Sequence, residues 1–175
     1  ASGKLRASTE YLHADAYIVA VPTPFADDHN VDMKFIYAVA DSIAPHLKGG
    51  ELIVLESTSP PHTTAKMAQR VLSKRPDLVA DGSENPDNLP VIYFAHCPER
   101  ILPGNAMEEL VTNDRIIGGM TPTATKMATD IYRSFCEGEL LPTDAVTAEM
   151  AKLTENSFRD VNIAFANELS IICDR

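Results

Sequence analysis

The sequence predicts an α/β fold: the second half of a doubly wound, parallel sheet, followed by one long helix. Three observations predict it. Short apolar runs alternate with amphipathic stretches of ten or more residues, the pattern of strands joined by helical crossovers. Three polar, proline-containing segments hang from the ends of those runs: VPTP (21–24), ESTSPP (56–61) and CPERILPG (97–104). From Asp144 to Arg175 there is no glycine or proline, which predicts a single helix of about 30 residues, about 45 Å long.

Each element has its own signal. Ala16 to Val21 (AYIVAV) reads as a buried parallel strand stopped by Pro22 and Pro24. Asp32 is placed to cap the next helix, whose apolar face is Met33, Phe35, Ile36, Val39 and Ile43. Gly49 and Gly50 close that unit, and Leu52 to Leu55 form a second buried strand leading through ESTSPP into a helix over 63–72. After the polar stretch DGSENPDN, Val91 to Ala95 make a third strand and Arg115 to Gly118 a fourth, followed by a helix over 122–135. In such sheets ligands bind at the carboxyl ends of the strands, where the three polar segments fall.

A nucleotide-binding unit of this kind opens with a strand and a glycine-rich turn. Here the eight glycines are scattered and no GxGxxG occurs. The last helix also runs to SIICDR without a capping glycine, so the sequence reads as a piece of something larger. Met150, Leu153, Val161, Phe165, Leu169 and Ile172 spread widely around that helix, which calls for a second subunit or another domain to cover it.

Composition narrows the partners. A net charge of -10 argues against nucleic acid or an anionic membrane surface. No apolar run approaches the ~20 residues that span a bilayer, and the first ten residues lack the core of a signal peptide, so the cytoplasm is the expected compartment. Cys97, Cys136 and Cys173 have no metal-ligand spacing and fit reduced thiols; no metal is expected.

Two groups can carry chemistry. Lys152 and Asn156 stand four apart on the long helix, so an ammonium and an amide project from one face and can stabilise an oxyanion; the alternative is a solvated helix face. Glu99, just past a strand end, can act as a general base for water or merely pair with Arg100. His96 and Cys97 look like a nucleophile couple, yet neighbours on a strand point to opposite faces. Cys97 is therefore expected to be a small buried residue and not the nucleophile.

VAVPTPF (19–25), LESTSP (55–60), CPERILPG, NDRIIGGMTP (113–122) and TAEMAKLTENSFRDVNIAFANELS (147–170) occur in an order that resembles the UDP-glucose/GDP-mannose dehydrogenase family over nearly the whole chain. The resemblance implies a Rossmann-like NAD-binding domain, of which residues 1–143 are the C-terminal half, and a central dimerisation helix beginning at 144–175. It implies oxidation of a nucleotide-sugar C6 alcohol to a carboxylate with two NAD, through an aldehyde, a cysteine thiohemiacetal and a thioester. Lys152, Asn156, Glu99 and Thr58 match the family's catalytic positions, with Thr58 placing water beside the nicotinamide or, in the alternative, capping a helix. Pro22, Thr23, Ser57 and Thr58 match the cofactor side. Glu99, Arg100, Ile101, Leu102, Lys152, Asn156 and Arg159 match the substrate side, although Arg100 and Arg159 can equally be surface residues.

The PERxxPG form resembles family members that take a UDP-N-acetylhexosamine; others carry a second acid where Pro103 stands. Pro61-His62 replaces the usual Val-Gly, and His62 is expected at the surface. The family's nucleophilic cysteine belongs to a glycine-rich GHC-type motif that this sequence does not contain, which implies that the isolated chain is inactive. A dimerisation module is the rival reading.

Overall fold

A computed structural model describes residues 4–24, 31–101 and 104–174. Among them the strands are β1 (Ala16–Val19), β2 (Leu52–Leu55), β3 (Val79–Ala80), β4 (Val91–His96), β5 (Arg115–Gly119) and β6 (Leu140–Asp144). The α-helices are α1 (Lys34–Ile43), α2 (Thr63–Lys74), α3 (Ala106–Thr112), α4 (Pro122–Arg133) and α5 (Ala145–Cys173). The sheet order is β1-β2-β4-β5-β6, with β3 beside the start of β4.

β2 is the centre of the molecule: all four of its side chains are buried, as a strand covered on both faces requires. Its alternation feeds two cores. Ile53 and Leu55 join Ile92 and Phe94 under α1 and α2. Leu52 and Val54 join Ala95, Cys97 and Ile117 under α4. Local chemistry starts the helices. The Asp32 carboxylate accepts the Lys34 N–H at 2.9 Å, one residue outside the first turn, and the Thr121 hydroxyl accepts the Ala124 N–H with Pro122 opening α4.

Several expectations need correction. The sheet is mixed: β1, β2, β3 and β4 are parallel, but β5 runs antiparallel to β4 and β6 follows β5. The link from β4 to β5 holds only the seven-residue α3, and it turns the chain back instead of carrying it across the sheet. β1 is not a buried strand but an edge, with Ile18 half exposed and strand pairing on one side only among the described residues. β3, α3 and β6 were not anticipated. β3 has two residues, and β6 (LLPTD) carries a proline that reads as a strand breaker.

The long helix is present as expected. Asp144 caps it, its carboxylate accepting the Thr147 N–H at 2.9 Å and the Thr147 hydroxyl at 2.6 Å. Its root fits closely against β5: a Cβ added to Gly118 would stand 2.1 Å from the Asp144 carbonyl oxygen. Ala145, Ala148 and Glu149 are buried, whereas beyond Leu153 nearly every side chain is exposed. No helix among the described residues is long and apolar enough to cross a membrane.

Candidate functional site

The carboxyl ends of β1, β2 and β4 lie on one edge because these strands are parallel and in register, Val19 beside Leu55 and Leu55 beside His96. Three loops leave that edge together. The Ser57 hydroxyl accepts the Val21 N–H and donates to the Val21 carbonyl, each at 2.7 Å, using both of its capacities on one residue. The Thr23 hydroxyl donates to the Thr58 carbonyl at 2.8 Å. The Cys97 and Glu99 N–H groups donate to the Leu55 and Glu56 carbonyls at 3.1 and 3.4 Å, extending the β2–β4 pairing into the loops. Pro22, Thr23, Ser57 and Thr58 are thus brought together, with Glu99 on the neighbouring loop.

Beneath this edge lies a buried polar cluster. The Tyr132 hydroxyl donates to Glu56 Oε1 at 2.5 Å, tying the root of the ESTSPP loop to α4. The Arg115 guanidinium lies over the rings of Tyr132 and Phe135, at 5.2 and 5.6 Å. Burial pushes the Tyr132 phenol well above its ordinary range, with the Cys97 and Glu56 charges adding to the shift. Burial also pushes the Cys97 thiol up to about 11, so almost no thiolate forms near neutrality.

His96 continues the Phe94 side of β4, while Cys97 shares the opposite core with Ala95, so the two do not form a couple. Burial brings the His96 imidazole down to about 4, an effect the Leu55 carbonyl offsets only in part. Neither ring nitrogen has a partner of full hydrogen-bond geometry among the described residues.

Four of the residues expected on the substrate side meet elsewhere, in an open groove of about 790 Å³ between the CPER loop, the α3–β5 junction and α5. Arg100, Ile101, Lys152 and Arg159 line it, together with Asn113, Asn162 and Phe158. Arg100 is held on three sides: its guanidinium meets Glu155 Oε1 at 2.6 Å and the Asp114 carbonyl at 3.3 Å, and its own carbonyl accepts from Asn113 Nδ2 at 2.9 Å. It pairs with α5 and not with Glu99, whose Oε1 instead accepts the Ile101 N–H. Asn156 is exposed and is not among the groove-lining residues, although it stands one turn after Lys152. Leu102 lies outside the described residues.

Two local expectations are resolved by α2. Thr58 does not cap it; the helix begins at Thr63 and is served by Glu149 from α5. That carboxylate, 1% exposed, accepts the His62 and Thr64 N–H groups at 2.6 and 2.7 Å and the Thr64 hydroxyl at 2.6 Å. An acid there meets the positive end of the helix. His62 is exposed, as expected, at φ +70°, a left-handed position that favours glycine. Glu149, Glu155 and Tyr132 were missed from sequence. Their partners are 55 to 87 residues away, so no local pattern announces them.

The NAD binding domain model of the UDP-glucose/GDP-mannose dehydrogenase family matches residues 1–136, and that family's central domain model matches residues 146–175. UDP-N-acetyl-D-mannosamine dehydrogenase of Escherichia coli K12 is 56% identical over 173 residues, which is 98% of this chain and 40% of the relative. NDP-N-acetyl-D-galactosaminuronic acid dehydrogenase of Ralstonia nicotianae is 55% identical over 172 residues, again 40% of its length. The solved UDP-N-acetyl-mannosamine dehydrogenase of Staphylococcus aureus superposes with a TM-score of 0.84 at 46% identity, covering 98% of this chain and 40% of that one. The chain therefore spans about 40% of the length of the curated relatives it matches.

Proposed function

The chain belongs to the UDP-glucose/GDP-mannose dehydrogenase family, and on that premise we propose that it is the cofactor-side part of an NAD-dependent nucleotide-sugar 6-dehydrogenase. The substrate in this reading is UDP-N-acetyl-D-mannosamine, oxidised to the uronate in two two-electron steps, the second taking its oxygen from water. One observation carries the proposal. A single edge of the sheet holds the Pro22-Thr23 and Ser57-Thr58 loops in mutual hydrogen bonds, with the Glu99-Arg100 loop beside them and Lys152 in the groove next door.

The first two loops suit NAD because they form adjoining, partly buried walls at the carboxyl ends of parallel strands, where dinucleotides bind in such sheets. Pro22, Thr23, Ser57 and Thr58 would hold NAD there, and the group would supply the hydride acceptor. Pro22 and Ser57 shape the wall, and the Thr58 hydroxyl holds a water. Lys152 Nζ, aided by the Asn156 amide, stabilises the oxyanion that develops on the sugar C6 oxygen. Glu99 takes the proton of the hydrolytic water through its carboxylate. Arg100, Ile101 and Arg159 border the nucleotide sugar, and Leu102 belongs to the same loop. The nucleophile belongs to a motif this sequence lacks, so the isolated chain is expected not to turn over. The exposed apolar side of α5 favours a homodimer through that helix.

A second reading, an N-acetylgalactosamine-type sugar, is favoured by the 55% identity to the Ralstonia protein. The test is an assay of the complete protein carrying this sequence against the UDP-linked N-acetyl forms of mannosamine, glucosamine and galactosamine, counting NADH per uronate. Two NADH with the mannosamine form supports the reading, while one NADH, or none with any of the three, sinks it.

A further inference from the structure

Three acidic or basic residues on α5 are spaced by three: Glu149, Lys152 and Glu155. Each carboxylate is bound to a different functional wall. Glu149, buried, takes two backbone N–H groups and a hydroxyl at the start of α2, directly after the ESTSPP loop. Glu155, two-thirds buried, takes the Arg100 guanidinium at 2.6 Å, from the CPER loop. Lys152 lies between them, less than one turn from each, and lines the groove with Arg100 and Glu155.

The placement is economical with freedom. One anchor fixes the axial position and rotation of α5 against the cofactor-side wall. The other fixes the substrate-side loop against the same helix. Lys152 is a flexible four-carbon side chain, so its Nζ is only as well placed as the backbone beneath it. We propose that Glu149 and Glu155 are positioning residues that hold Lys152 in register with both loops, so that its ammonium meets the developing oxyanion. The inference rests on the dehydrogenase reading above. It adds two residues whose carboxylates are engaged by protein groups, at the start of α2 and on Arg100.

The test uses the complete protein, with Glu155→Gln, Glu149→Gln and Glu149→Asp, each alone and in a Lys152→Ala background. Steady-state kinetics with the UDP-N-acetylhexosamine that the unsubstituted protein turns over are read beside thermal unfolding. Each single variant is expected to lower kcat by about tenfold to a hundredfold, with KM for NAD and sugar within about threefold. In the Lys152→Ala background the same changes should add less than about twofold, since the residue they position is gone. A purely structural role would lower Tm but leave kcat per folded molecule unchanged, and that result overturns the proposal. So does a rise in KM alone, or a full additive loss without Lys152. If Glu149→Gln does not fold, Glu149→Asp and the more exposed Glu155→Gln decide the question. No turnover by the unsubstituted protein overturns the dehydrogenase reading itself; normal turnover by the variants overturns only the anchors.

Discussion

The base of α5 and the rest of it are both rich in apolar residues and have opposite fates. The first turns, through Leu153, are pinned by Asp144 and Glu149, with Ala145 and Ala148 buried against the sheet. The remainder projects away, leaving Phe158, Val161 and Phe165 at 72%, 66% and 65% exposure. Small residues and a buried acid seat the helix, while large apolar residues are left without cover from the described residues. An apolar pattern thus says that a surface will be buried, not by which chain.

Thiol chemistry should separate the packed region from the projecting one most widely. Cys173 is exposed and Cys97 and Cys136 are buried, so a thiol reagent should label Cys173 faster by about a thousandfold or more, read by mass spectrometry on the native protein. Protection of Cys173 that grows with protein concentration would place it in a self-association surface. Next in size, Glu149→Ala should cost about 4 kcal/mol by chemical denaturation, because it orphans donors buried at the start of α2. A loss below about 1 kcal/mol would mean the root of the helix is held by packing alone.

Acid should reach the packed region through His96. Its imidazole protonates near 6.5 in the unfolded chain but only near 4 when folded. The unfolded state therefore binds the extra proton between those values, and stability falls as pH drops from 6.5 to 4, by about 3 kcal/mol from this group. A His96→Leu protein should show a flatter acid limb; an unchanged limb would assign the acid loss to other groups. Smallest of all, Phe165→Ala should change the stability of the monomer by less than about 0.5 kcal/mol. The same change should weaken any dimer detected by sedimentation. A large monomer effect would show that the far half of α5 is covered by its own chain.

Long, strongly patterned elements were legible in the sequence: β2, β4, α1, α4 and α5 lie where their apolar periods put them. The reversal at β5 was not, because strand direction depends on how α3 and its flanking turns steer the chain, and seven residues of helix leave little periodic signal. Of the candidate site, the loop residues were visible as polar, proline-rich ends of strands. Glu149 was not, since an acid inside AEMAK reads as an exposed helix residue until the fold brings α2 beneath it.

The close fit of Gly118 against Asp144 makes the root of α5 a fulcrum. A methyl group there must push the first residues of the helix aside. Over the 29 residues of α5, about 43 Å of rigid rod, a tilt of about 5° moves the far end by about 4 Å. Lys152, near the pivot, would shift only a fraction as far. The glycine thus sets the aim of a lever whose tip is far more sensitive than its base, so a small side chain at that point should misalign whatever meets the apolar end before it displaces Lys152.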